Sequence, residues 1–310
     1  MYSYADSIVS TLPRGSVLVS HSDINWNSVR YVLECESKRP DVIHLSFQIM
    51  SYKWFKRQAN LYPSIKFPNM NFPGLSTDIS TNGNTKMVLD FVRANIKNHP
   101  HIYLDLTSIG VGFIGRNGVL GEFYIYPVGL VWKVTRSPMK PRIWERKAAR
   151  AFSVIDKTYR VSTALVANAA SWEYLSLKIY VDGLYQYSLR LLEVAELQQQ
   201  NGLHFNELRL YYKRSEKAAL IMNQIVNRYY DSVVPKGRRD LIKNAAVAEM
   251  RYYFAALTLK ENNVVSPDII ATPSQLIRHT RFRLKQALEF DDRKDATMEA
   301  FKEFLAQYIL

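Results

Sequence analysis

SVLVSHSDINWNSVRYVLECESKRPDVIHLSF, residues 16–47, reads as strand, helix, strand, and it decides the fold of the first half of this 310-residue chain. Ser16 to Val19 is a short β-branched run, and the polar loop Ser20-His21-Ser22-Asp23 ends it. From Ile24 to Ser37 the spacing is helical: Val29, Val32, Leu33 and Glu36 fall on neighbouring turns, with Asp23 or Asn25 available as N-cap. Lys38 and Arg39 stand where the helix dipole favours cations, and Pro40 stops the helix. Val42 to Phe47 is the next strand. A β-α-β unit of this kind predicts two parallel strands joined by a right-handed crossover.

Downstream, Ser51 to Asn60 reads as helix or loop, and Pro63, Pro68 and Pro73-Gly74 mark an irregular connection to about Asn84. Lys86 to Asn98 has a helical pattern and His101 to Leu106 a strand pattern. After the turn at Asn117-Gly118, Glu122 to Tyr126 and Val128 to Val134 read as strands at the edge of the same sheet. The expectation is a three-layer α/β head with a mixed, mostly parallel sheet.

Composition changes at the Pro- and cation-rich stretch beginning at Arg136, which predicts an α/β domain over 1–135, a basic linker over 136–150 and a helical domain over 151–310. Leu184, Leu191 and Ala195 lead to a stop at Gly202, and Leu208, Tyr211, Ala218, Met222, Ile225 and Tyr229 trace one face of a long helix. Further helices are expected over Asp240–Lys260, Ser274–Phe290 and Ala296–Tyr308, separated by Pro267, Pro273 and the Asp291-Asp292 turn. Starts near Asn206, Asp240 and Ser274 share the period of tetratricopeptide arrays, so the tail reads as an α-solenoid or an irregular bundle.

The apolar stretches, such as Val161 to Ala170 and Phe123 to Val134, are too short to cross a bilayer, and the first residues show no signal-peptide pattern. A single cysteine, Cys35, excludes an internal disulfide framework, and no Asn-x-Ser/Thr acceptor occurs. The net charge of +13 suggests attraction to nucleic acid, phospholipid head groups or a phosphorylated substrate, or else a solvated basic surface.

Gly110-Val-Gly-Phe-Ile-Gly115 spells G-x-G-x-x-G after a strand, but a dinucleotide site needs a helix opening inside the motif, and another strand pattern follows instead. His99-Pro-His101 has no further ligand at metal spacing, so no metal site is expected. Cys35, between Glu34 and Glu36, is a poor nucleophile. Basic clusters stand at 136–150, at Lys236-Gly-Arg-Arg and at Arg278 to Lys285, while the tyrosine pairs 211–212, 229–230 and 252–253 follow the apolar helix faces. That separation argues against a nucleic-acid groove. The best-placed candidate is the loop from His21 to Asn25, at the carboxyl end of a strand and the start of a helix, which suits either an anion or sugar site or simple helix capping.

The run Ser22-Asp23-Ile-Asn-Trp-Asn-Ser-Val, with Arg30-Tyr31, Cys35-Glu36 and Arg39-Pro40-Asp41-Val42, is continued by Tyr52-Lys-Trp54-Phe55 and Tyr62-Pro63. In this order and spacing the elements resemble the region after the last membrane span of the transmembrane protein 260 family of protein O-mannosyltransferases of the endoplasmic reticulum. The resemblance covers about 130 residues, through Tyr126-Pro-Val-Gly129, with Ser22-Asp23 where the family usually carries Gly-Asp. It implies a lumenal, non-membrane portion of a glycosyltransferase that transfers mannose to Ser or Thr of receptor ectodomains. The catalytic carboxylate and the dolichol-phosphate mannose donor site would belong to a membrane-embedded half, and no cofactor is expected in this chain. Asp23, Asn25, Asn27 and Arg30 are the expected functional rim. A different class of reading is a free-standing basic module that binds an acidic protein, lipid or nucleic acid.

Overall fold

The computed structural model describes residues 1–68, 82–106, 114, 118–160, 170–200, 205–229, 235–264, 269, 271–290 and 296–308, with 82–85, 198–200, 205, 235–240 and 290 described by backbone alone. The glycine motif at 110–115, apart from Ile114, lies outside the described residues, as do Asn117, Gly202, Pro267, Asp291-Asp292 and most of the irregular connection before 84. The chain divides into two compact units, Met1–Gly183 and Leu184–Leu310.

The first unit is built on a mixed six-stranded sheet in the order β2-β1-β3-β6-β5-β4. Its strands are β1 (Val17–Ser20), β2 (Ile43–Ser46), β3 (Ile102–Asp105), β4 (Val119–Leu120), β5 (Phe123–Val128) and β6 (Val131–Thr135). β1 pairs in parallel with β2 on one side and with β3 on the other. β6 runs antiparallel to β3, and β5 and β4 continue the antiparallel half. The β-α-β reading is therefore realised and the strands after β3 form one edge as expected. The mixed sheet is not mostly parallel, however, since that edge is built of hairpin-connected strands and three of the five pairings among the described residues are antiparallel.

Period-2 alternation gives the sheet two different faces. Val17, Val19, Leu45, Ile102, Leu104, Ile125, Trp132 and Val134 form one wholly apolar face. It packs on Phe47 and Met50 of α3 (Phe47–Met50), Phe55 of α4 (Phe55–Gln58) and Val88, Phe91 and Val92 of α5 (Asn82–Asn95). The alternate positions, Leu18, Ser20, His44, Ser46, Tyr103, Asp105 and Lys133, are buried as well, yet mostly polar. On β2 and β5 that side is met by α2 (Asp23–Arg30) and α6 (Pro141–Thr158), and α1 (Tyr2–Thr11) packs on both helices. The result is three layers.

The expected helix from Ile24 to Ser37 is α2 continued by one π-helical turn, Tyr31–Cys35. Ser22, rather than Asp23 or Asn25, occupies the N-cap position, and its side chain makes no capping bond. Arg39 stands at φ 55° just beyond the helix and sends its guanidinium to the carbonyls of Val9, Leu12 and Pro13. It thereby serves the orphan carbonyls at the end of α1 while pairing with Asp41 at 2.8 Å. Asp41 also accepts the Gly15 N–H, and these bonds hold its carboxyl well below the usual carboxylate range.

The stretch 136–150, expected as a linker, contains the start of α6. Lys140 is its N-cap and Pro141 takes the first turn, where a missing N–H costs nothing. Trp144, Ala148, Ala151, Phe152 and Ile155 make its buried stripe, and the Trp144 indole donates to the Pro127 carbonyl at 2.8 Å. The compact unit therefore extends past the change in composition to Gly183.

Helix α7 (Trp172–Gln200) is followed in the second unit by α8 (Phe205–Tyr229), α9 (Pro235–Glu261), α10 (Pro273–Phe290) and α11 (Ala296–Gln307). Each of the last four packs on its neighbour in sequence. Their starts at Phe205, Pro235 and Pro273 are unevenly spaced, so the constant period expected from the sequence is not kept. A polar seam crosses the interior: Arg283 donates to Asn223 and Asn227 at 3.1 Å each, Asn223 bonds to the buried Glu249, and Tyr212, Tyr252 and Glu216 are linked.

Candidate functional site

Because β2 and β3 flank β1 on opposite sides, the chain reverses its winding direction at β1, and the carboxyl ends of β1 and β3 form the edge at which open α/β sheets commonly bind ligands. His21 follows β1 at this edge and Asp105 ends β3. Both are buried. Asp105 Oδ2 accepts the backbone N–H of His21 at 2.8 Å and the side-chain amide of Asn25 at 2.9 Å. Tyr4, from α1, donates its hydroxyl to Asn25 Oδ1 at 2.5 Å. Burial, with Asp105 second, pushes the Tyr4 hydroxyl far up, so the proton needed for that bond stays in place.

This network alters the meaning of the loop. A helix start at a strand's carboxyl end attracts anions, and here the protein's own Asp105 side chain lies beside it, bonded to the His21 N–H just before the helix and to the Asn25 side chain. His21 is held below its ordinary value by burial, against the opposing pull of Asp105 and Asp23. Ser22 Oγ is enclosed without a hydrogen-bond partner.

The four residues expected at the rim separate into two groups. On a 3.6-residue helix, Asp23, Asn27 and Arg30 share one side at i, i+4 and i+7, whereas Asn25 lies nearly opposite. Asp23 and Asn27 are exposed, Arg30 is half-buried, and Asn25 is 1% exposed inside the Asp105 network. Asn25 is thus a structural tie beneath the rim. Arg30 rests over the Trp26 ring at 4.9 Å and approaches Glu34 at 3.9 Å.

Trp26 in turn lies 4.7 Å from the His44 ring, whose Nε2 is 2.8 Å from Ser20 Oγ. The Ser20–His44 pair has the contact of a nucleophile and its base, but Ser20 is fully buried, so its hydroxyl has no route to a substrate in this arrangement. Burial, followed by the Arg30 charge, pushes His44 down to about 3, so it is neutral under ordinary conditions. Its Nδ1 is buried without a partner. At the opposite end of the same sheet face, Lys133 lies over Tyr103 at 4.7 Å and donates to the Pro100 carbonyl at 2.5 Å; burial, with Lys147 nearby, lowers it to about 7.

Asp105, Tyr4 and His44 were not singled out in the sequence. The available signal was the placement of charged and polar residues at alternate positions of otherwise apolar strand runs. Cys35 is exposed and free. Among the described residues, no three His, Cys, Asp or Glu side chains group as metal ligands, and no helix is long and apolar enough to cross a membrane.

Comparison with known proteins places these residues in a family context. The chain is 30% identical over 233 residues to "Protein O-mannosyl-transferase tmem260" of Dictyostelium discoideum, a match that covers 72% of this chain and 26% of that protein. It is 29% identical over 66 residues to "Protein O-mannosyl-transferase TMEM260" of Mus musculus, covering 21% of this chain and 9% of the relative. The chain resembles the TMEM260 family. It spans about a quarter of the Dictyostelium protein's length and less of the mouse protein's. No family model matches the sequence, and no solved structure matches it. The TMEM260-like motif Arg39-Pro40-Asp41-Val42 has a structural role in this fold, since Arg39 and Asp41 tie the end of α1 to the approach of β2.

Proposed function

We infer that this chain is the non-membrane portion of a protein O-mannosyltransferase-like protein and that it contributes acceptor recognition or stability without holding the catalytic centre. The observation that carries this reading is the 30% identity to an O-mannosyltransferase over most of this chain. The enclosure of Ser20 and His44 agrees with it, because this nucleophile-like pair is sealed from solvent. By family resemblance, the donor is dolichol-phosphate mannose, held with the catalytic carboxylate in a membrane-embedded half. The acceptors are Ser or Thr of receptor ectodomains, and the compartment is the lumenal side of the endoplasmic reticulum. The outward side of α2, with Asp23, Asn27 and Arg30, is the acceptor-facing rim; Asn25 supports it from below.

The test is mannose incorporation into receptor ectodomains in cells lacking the protein and re-supplied with variants. The triple change Asp23→Ala, Asn27→Ala, Arg30→Ala is expected to lower incorporation about tenfold at unchanged protein level. Full incorporation would refute the rim. Robust transfer from dolichol-phosphate mannose by the purified 310-residue chain alone would refute its non-catalytic role.

A further inference from the structure

Between Asp41 and Asp78 the sequence contains no carboxylate, yet it carries Lys53, Lys56, Arg57 and Lys66. All four cations are exposed. None of them forms an ion pair among the described residues. Within the same segment, three large apolar side chains face solvent: Tyr52 is 55% exposed, Trp54 49% and Leu61 73%. The Tyr52 and Trp54 rings lie nearly parallel, 9° apart, with centroids separated by 5.8 Å.

The fold presents this surface on firm footing. Phe55 and Ile65 are buried in the apolar core, where Phe55 meets Phe67 edge-on at 5.1 Å and Phe67 in turn meets Phe91. Trp54 through Ala59 keep right-handed helical dihedrals and lead into the 3-10 turn Ala59–Leu61. Trp54, Arg57 and Leu61 therefore recur at i, i+3 and i+7 on one side of a continuous helical stretch. Soluble surfaces seldom gather exposed apolar groups in this way without a partner.

We propose that the 52–66 segment is a docking surface for an anionic phospholipid bilayer, with Tyr52, Trp54 and Leu61 entering the interface and Lys53, Arg57 and Lys66 meeting the head groups. Trp and Tyr favour the head-group level because each has an apolar body and a polar tip, and long cationic stems reach outward from the same depth. A single-stranded nucleic acid fits less well. Bases need open ring faces, but Tyr52 and Trp54 are set against one another, and Leu61 offers nothing to a base. A hydrocarbon boundary accepts all three. This surface is independent of the α2 rim and of the mannosyl-transfer reading.

The experiment is co-sedimentation of the purified chain with vesicles of phosphatidylcholine alone and of phosphatidylcholine with 30% phosphatidylserine. Binding is expected only to the anionic vesicles and should fall with salt. Each of Lys53→Gln and Arg57→Gln should weaken partitioning about fivefold, the equivalent of about 1 kcal/mol per cation near such a surface. Tyr52→Ser with Trp54→Ser should weaken it at least tenfold. Leu61→Ser, at the most exposed of the three positions, should weaken it without touching the core, while Phe282→Ser on α10 should leave it unchanged. Absence of binding to anionic vesicles would overturn the proposal, as would binding indifferent to the Tyr52, Trp54 and Leu61 changes. Tighter binding to a single-stranded oligonucleotide, lost with the same variants, would overturn it in favour of nucleic acid.

Discussion

Replacing Asp105 by alanine tests the central structural claim about the carboxyl edge. Asp105 is 1% exposed and its Oδ2 accepts from the His21 backbone and the Asn25 amide. Truncation leaves both donors enclosed without that acceptor. At roughly 1–3 kcal/mol for each unmet buried group, the expected loss is about 4 kcal/mol of stability. Asp105→Asn can keep its one oxygen at the Oδ2 position that both donors share, so it should recover most of the loss. Tyr4→Phe removes one donor from Asn25 and should cost about 1–2 kcal/mol. Asp23→Ala, at an exposed position, should stay within about 0.5 kcal/mol of the parent. Urea unfolding followed by tryptophan fluorescence reads the correct unit, because all five tryptophans lie between Trp26 and Trp172, inside Met1–Gly183. A loss below about 1 kcal/mol for Asp105→Ala, equal to that of Asp23→Ala, would refute the reasoning from buried donors.

Three other measurements probe the same fold. His44 is held at about 3 against an ordinary 6.5, so the unfolded chain takes up a proton at a higher pH than the folded one. Stability is complete above about pH 6.5 and declines toward pH 3 by at most about 5 kcal/mol, and His44→Gln should flatten that acid limb in pH-dependent urea titrations. Lys133, lowered from 10.5 to about 7 by burial, acts at the other end of the scale: its contribution is complete above about pH 10.5 and is lost as pH falls to 7. Lys133→Met should therefore raise the midpoint at pH 6 by the equivalent of about 1–3 kcal/mol, once the lost contacts to Pro100 and Tyr103 are subtracted, and change little at pH 10.5. Arg39→Ala should cost about 2–4 kcal/mol by freeing three carbonyls and Asp41, with Arg39→Lys recovering a minority, because an ammonium cannot reproduce the fork; thermal unfolding resolves the difference.

The two α2 residues Asn25 and Asn27 show where sequence reading stops. Both are short amides near a helix start, and both suit a polar rim. Helical geometry separates them by about 200°, and Asn25 is buried while Asn27 is exposed. That much follows from spacing once the helix start is known. The partner that makes a buried asparagine tolerable is Asp105, 80 residues away, and the interaction belongs to strand order rather than to local pattern.

Legible from the residues alone were the local and periodic features: β1, α2 and β2, the strand before Asp105, the long amphipathic helices and a resemblance carried by short motifs. Those signals survive because hydrophobic spacing of 2 or 3.6 residues is written along the chain. The assembled fold was needed to show that Asp105 ties His21 and Asn25 together beside the start of α2, that Ser20 and His44 are sealed, and that Pro141–Thr158 joins the α/β unit. Each depends on which strands become neighbours, and burial is a property of that arrangement rather than of any residue.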